Sequence, residues 1–180
     1  MPKKMEECQF PSHVKLNRHE ELISIEDIGN LEIPTDGRWT GDDIEMIRDR
    51  TFFQKRYVDI YCHGRYHIYK YLNDEKVIGY IVLRKTVYKG MDMVSLVDFR
   101  FKRREDEIKA MTAAAKVAGR CGIGLVIALT SRLWGNKLSP VVVRMKKELH
   151  CAIRMSEYVD KFNDMLITSA DSDLDFVYYK

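Results

Sequence analysis

The stretch from Met91 to residue 129 constrains the fold more than any other part of the chain. It reads as an alternating strand over Met91–Phe101, a basic turn Lys102-Arg103-Arg104, an amphipathic helix ending at Gly119, and a glycine-flanked apolar strand over residues 123–129. Two parallel strands cannot be joined by a tight turn, so a strand, crossover helix and strand is the unit that parallel pairing requires. Helix N-terminal amides and exposed strand ends converge at the first junction of such a unit, where folds of this kind bind ligands. Here the junction reads Asp98-Phe99-Arg100-Phe101-Lys102-Arg103-Arg104-Glu105-Asp106-Glu107.

With 180 residues, the chain has the length of one ordinary domain with a substantial core. Thirty basic residues face 27 acidic ones, so the chain as a whole makes no electrostatic case for nucleic acid, and only local patches can argue it. The longest apolar runs, residues 78–83 and 123–129, fall short of the roughly 18 residues that a membrane span needs. The first ten residues carry charges at both ends of a short window with no apolar centre, so no signal peptide is read and a cytoplasmic protein is expected. Cys8, Cys62, Cys121 and Cys151 are scattered without a C-x-x-C pair, which points to reduced thiols. The neighbours Cys62-His63 and His150-Cys151 could meet in space as a metal site, but adjacent strand residues point to opposite faces and no metal is expected.

Residues 1–38 mix charges, isolated apolar residues and prolines, and read as a partly extended or disordered N-terminal extension ahead of a single domain over residues 39–180. Short strands are expected at residues 22–25 and 31–33. Thr40 or Asp42 would cap a helix carrying Ile44, Ile47 and Phe52 and ending near Tyr57. Three strands follow, over residues 66–72 and 76–86 and over Met91–Phe101, connected by Asn73-Asp74-Glu75 and Tyr88-Lys89-Gly90 as an antiparallel meander. In the next helix, expected over residues 105–119, Ile108, Met111, Ala115 and Ala118 form the apolar stripe. Residues 123–129, apolar on both faces, have the pattern of a central parallel strand. A loop with Trp134-Gly135-Asn136 leads to Ser139-Pro140, a cap and first helical position, and the helix runs to about His150. Residues 152–158 and 165–168 close the sheet.

This order of helix, three antiparallel strands, helix, parallel strand, helix and two strands resembles the GNAT superfamily of acyl-CoA-dependent N-acyltransferases, over residues 41–175. It is most similar to bacterial GNAT-like domains in the Arg-Asp-x-x-Phe-Phe-x-x-Arg-Tyr pattern ending at Arg56-Tyr57, in Val77-Ile78-Gly79-Tyr80-Ile81-Val82-Leu83-Arg84, in Val97-Asp98-Phe99, and in Ile167-Thr168-Ser169-Ala170-Asp171-Ser172-Asp173. The resemblance implies an α+β fold, an α/β sandwich in which an antiparallel meander is followed by a splayed parallel strand pair with flanking helices. Acetyl-CoA or another acyl-CoA would be the cosubstrate, with no metal, and the acceptor a small-molecule or peptide amine.

The resemblance further implies that acyl-CoA lies where Met91–Phe101 splays from residues 123–129. Its pantetheine arm would pair with the backbone around Val97, Phe99, Arg100 and Phe101, and its pyrophosphate would meet Lys102, Arg103 and Arg104 at the helix start. Asn136 and Ser139 would be further cofactor contacts. The pyrophosphate loop of a typical member reads [QR]-x-x-G-x-[GA], because glycine lets the backbone curl round the anion. Here both glycine positions are glutamates, Glu105 and Glu107, acids that equally serve to stabilise a helix N-terminus. Asp98 is the candidate base; it is also readable as a polar residue on the outer face or as the partner of an arginine. Tyr158 is the candidate acid and His150 a second base, or a favourable charge at a helix end.

Asp171, Asp173 and Asp175 alternate like the first acids of a calcium loop but lack its glycine and its distant glutamate. The aromatic and basic residues between Tyr57 and Tyr71 suit base stacking, yet alternation of Tyr, Ile and Val is ordinary strand chemistry, and no nucleic acid or membrane partner is expected. Two functional readings stand: an N-acyltransferase, or a GNAT-fold binding or assembly module without CoA turnover. A homodimer or a partner domain is open under both.

Overall fold

The computed structural model describes residues 9–31, 48–59, 66–88, 90–130 and 168. Strands β1 (His13–Lys15) and β2 (Glu20–Ile25) form a hairpin, and β2 pairs with β3 (His67–Asn73). Antiparallel pairing continues through β4 (Lys76–Tyr88) and β5 (Met91–Phe101), and β6 (Val126–Ala128) lies parallel to β5. Spatial order thus follows chain order across one six-stranded mixed sheet. The expected α+β architecture, a meander ending in a parallel pair, is present.

Local chemistry explains the elements. Asp74 and Glu75 both take positive φ, the backbone that turns a strand back after two residues in register with its twist. Helix α1 (Arg50–Phe53) is capped by Asp49, whose carboxylate accepts from the Phe52 amide at 2.8 Å, and it runs on into a π-helical turn, Gln54–Val58. The cap expected at Thr40 or Asp42 lies outside the described residues. Helix α2 (Lys109–Arg120) is preceded by a 3-10 turn, Arg104–Asp106, so the α-helix begins later than expected.

Alternate strand residues face two cores. On one side Ile81, Leu83, Val94, Leu96, Phe99 and Phe101 pack with Val14, Leu22, Tyr69 and Tyr71 and with α2. The other holds Ile28, Phe53, Tyr57, Tyr66, Ile68, Tyr80, Val82 and Val97. The stripe of α2 is corrected by this packing: Ala110, Ala113, Ala114, Val117 and Ala118 are buried, Ala115 is exposed, and Ile108 and Met111 are half-buried. Small side chains on that face let the helix lie close to the bulky side chains of β5.

Two more expectations change. Strands β1 and β2, inside the stretch expected as an N-terminal extension, pair into the main sheet, with Val14 and Leu22 in its core. The strand at 123–129 shortens to Val126–Ala128 and is half-buried. Thr130, just past it, forms an antiparallel bridge with Thr168, which belongs to the expected closing strand. Among the described residues, no helix is long and apolar enough to cross a membrane.

Candidate functional site

The register of β5 changes along its length. Val82 pairs with Asp98 and Leu83 with Leu96, so Val97 is an extra residue in β5, a bulge that shifts the phase of the backbone. After it, the Lys102 amide donates to the Ile78 carbonyl at 2.8 Å. By the alternation of antiparallel pairs, the backbone groups of Asp98 and Arg100 then face β4, and those of Phe99 and Phe101 turn away from it. Before the bulge, the Val94 amide donates to Leu125 at 2.9 Å, on the β6 side. Parallel pairing with β6 spans only Val94 to Leu96 and ends there, while β5 runs on to Phe101. Among the described residues, no strand pairs with residues 97–101 on the side away from β4.

Asp98 lies beside the bulge and is fully buried. Its Oδ2 accepts from Arg48 Nε at 3.0 Å and from the hydroxyls of Tyr57 and Tyr80, each at 3.1 Å. Its Oδ1 accepts from Arg48 Nε at 3.1 Å, from Thr168 Oγ1 at 2.9 Å and from the Phe99 amide at 3.0 Å. Arg48 also donates to Thr168 Oγ1 at 3.2 Å. Burial and the negative charge of Asp98 push the Tyr57 phenol well above its usual range, so it stays a donor. A carboxylate surrounded in this way is not exposed to an amine. Of the sequence alternatives, the arginine partner is the one found, and the role of accessible base does not fit this geometry.

The junction divides its charges by depth. Glu107 turns inward, buried, with Oε1 3.6 Å from Arg100 Nη1, itself buried. Lys102, Arg103 and Arg104 are exposed, and Arg103 lies 3.8 Å from the exposed Glu105. The amides of Asp106 and Glu107 already donate to the carbonyls of Arg103 and Arg104. The surface that an anion meets here is therefore the basic turn with Glu105. The side chains of Val97, Phe99 and Phe101 are core, and the Phe99 amide is taken by Asp98. Tyr158, His150, Asn136 and Ser139 lie outside the described residues.

No protein-family model matches the sequence, and no curated protein matches it. Among solved structures, the chain is similar to an aminoglycoside acetyltransferase from an uncultured soil metagenomic sample, determined in complex with trehalose. The identity is 11% and the TM-score 0.47, over 78% of this chain and 100% of that one.

Sequence reasoning did not foresee the ring around Asp98. Yet Tyr57, Tyr80, Asp98 and Thr168 each come from a different one of the four segments that carry the GNAT resemblance. Their meeting at one carboxylate was the available signal. Among the described residues there is no cluster of three or more His, Cys, Asp or Glu able to hold a metal ion.

Proposed function

We propose that the chain is an acyl-CoA-dependent N-acyltransferase whose thioester lies along the side of β5 away from β4. The observation that supports this most is the early end of the parallel pair: among the described residues β6 stops pairing at Leu96, while β5 runs on to Phe101, whose backbone groups turn away from β4. An extended amide-bearing chain such as pantetheine is bound by strand-like hydrogen bonds to such an edge. The exposed Lys102, Arg103 and Arg104 then meet the phosphates, with Glu107 withdrawn into the interior and Glu105 the acid left at the surface.

In this reading, the amine nitrogen attacks the thioester carbonyl, whose oxygen is polarised by backbone N–H donors. The tetrahedral adduct then collapses, forming the amide and breaking the C–S bond. The sulfur leaves as thiolate and takes up a proton equivalent to the one the amine gives up. Tyr158 is proposed as the acid that delivers it, and Asn136 and Ser139 as further contacts to CoA. Positioning supplies much of the rate, because Asp98 is occupied by its own donors.

Calorimetric titration with acetyl-CoA, against a truncated nucleotide, tests this. Binding near about 1 μM that weakens with salt is expected. An absence of heat at millimolar ligand overturns the proposal in favour of a binding or assembly module.

A further inference from the structure

After the bulge, the first β5 amide that faces away from β4 is that of Phe99, and it donates to Asp98 Oδ1 at 3.0 Å. A strand extending the parallel pair beyond Leu96 would need that amide. The same oxygen accepts from Thr168, which bridges to Thr130 just past β6. One carboxylate therefore engages the next amide of β5 and is hydrogen-bonded to a residue bridged to Thr130, just past β6. Arg48, Tyr57 and Tyr80 fix its own position.

From this geometry we propose that Asp98 is a positioning residue: it ends the β5–β6 pair at Leu96 and sets the separation of the two strands where the acyl thioester is to lie. The inference rests on the acyl-CoA reading for its ligand, though not for its geometry. Asp98 acts through the Phe99 amide and Thr168, and its carboxylate does not touch the reacting atoms.

The test is amide hydrogen exchange followed by NMR on the full chain, together with acetyl-CoA titration. In the wild type, the Phe99 amide, held by Asp98 Oδ1, exchanges roughly a hundredfold more slowly than that of the exposed Arg103, although none of the described strands pairs with it there. In the double variant Arg48→Met, Asp98→Leu, which leaves neither buried charge alone, the Phe99 amide quickens by about tenfold or more. The Val94 amide stays protected in the same protein, and acetyl-CoA binds about tenfold more weakly. Rapid Phe99 exchange in the wild type overturns the proposal, as does unchanged protection and affinity in the folded double variant. Should the double variant not fold, Thr168→Val keeps the Arg48–Asp98 ion pair and removes the hydroxyl that bonds to Asp98 and Arg48. A loss of about threefold or more in acetyl-CoA affinity then supports the proposal, and an unchanged value overturns it. Wild-type protein that does not bind acetyl-CoA refutes the acyltransferase reading, and exchange at Phe99 in wild type and variants then decides the positioning role alone.

Discussion

Replacing Gly79 with alanine tests how closely β4 and β5 meet at the candidate site. Gly79 pairs with Phe101, and a Cβ there would lie 2.6 Å from the Arg100 carbonyl oxygen and 2.6 Å from the Phe101 ring. Ordinary contacts begin at 3.4 Å, so the methyl group intrudes by nearly 1 Å into a backbone atom and a fully buried ring. Neither can swing aside, and the two strands must part locally. Overpacking of this kind costs about 1–3 kcal/mol, against which reduced freedom of the unfolded chain returns about 0.4–1 kcal/mol. A backbone clash belongs at the upper end, which gives a net loss of about 2 kcal/mol and a fall in Tm of about 6 °C for a chain of this size. Gly119→Ala supplies the control: that glycine is in α2, exposed, with nothing within 4 Å of the added carbon. It should gain about 0.5–1 kcal/mol from helix propensity. Scanning calorimetry and urea titration of the two variants measure the contrast. A Gly79→Ala protein as stable as wild type, with an unchanged urea slope, would refute the packing drawn for this edge.

Arg48→Met alone strands the buried Asp98 carboxylate and should cost about 3–5 kcal/mol, read as the shift of a denaturation midpoint. Burial lowers the pKa of His67 below its ordinary 6.5. The folded state thus binds its proton less readily than the unfolded chain, so this contribution to stability is intact above pH 6.5 and is lost as pH falls through the folded value. His67→Phe preserves stacking on Phe10, now 4.2 Å between ring centroids, and should narrow the gap in Tm between pH 8 and pH 5.5; an equal gap in both proteins contradicts the assignment. Glu105→Gly should tighten acetyl-CoA binding by removing the exposed acid beside Arg103, whereas Glu107→Gly should destabilise the fold by removing the buried acid that faces buried Arg100. Titration and thermal melts of both variants separate these effects, and equal behaviour of the two refutes the division of the acids by depth.

The sequence was most legible where structure is local. The bounds of β5 follow from alternation and turn chemistry, and the β3–β4 turn falls where Asn73-Asp74-Glu75 puts it. The helix phase was harder to read. Alanines at 110, 113, 114, 115 and 118 offer little hydrophobic contrast, and contact with β5 rather than periodicity selects the buried face. β1 was missed because three residues are too few to alternate visibly. For the site, the junction was foreseeable from topology, and the early parting of the strand pair from the resemblance to the GNAT superfamily. The ring around Asp98 was not, because it depends on a bulge that alternation does not reveal and on partners 50 and 70 residues distant in the chain.

Strand order matching chain order also dictates how the molecule is assembled. β1 with β2, and β3 with β4 and β5, are joined by turns, so much of the sheet forms from contacts close in sequence and at little loop-closure cost. The β5–β6 pair waits for a helical crossover, and the Asp98 ring waits for Arg48 and Thr168 to arrive from opposite ends of the domain. The side of the molecule that carries the candidate chemistry is thus completed last. A chain arrested partway would already possess its scaffold while lacking the geometry on which its chemistry depends.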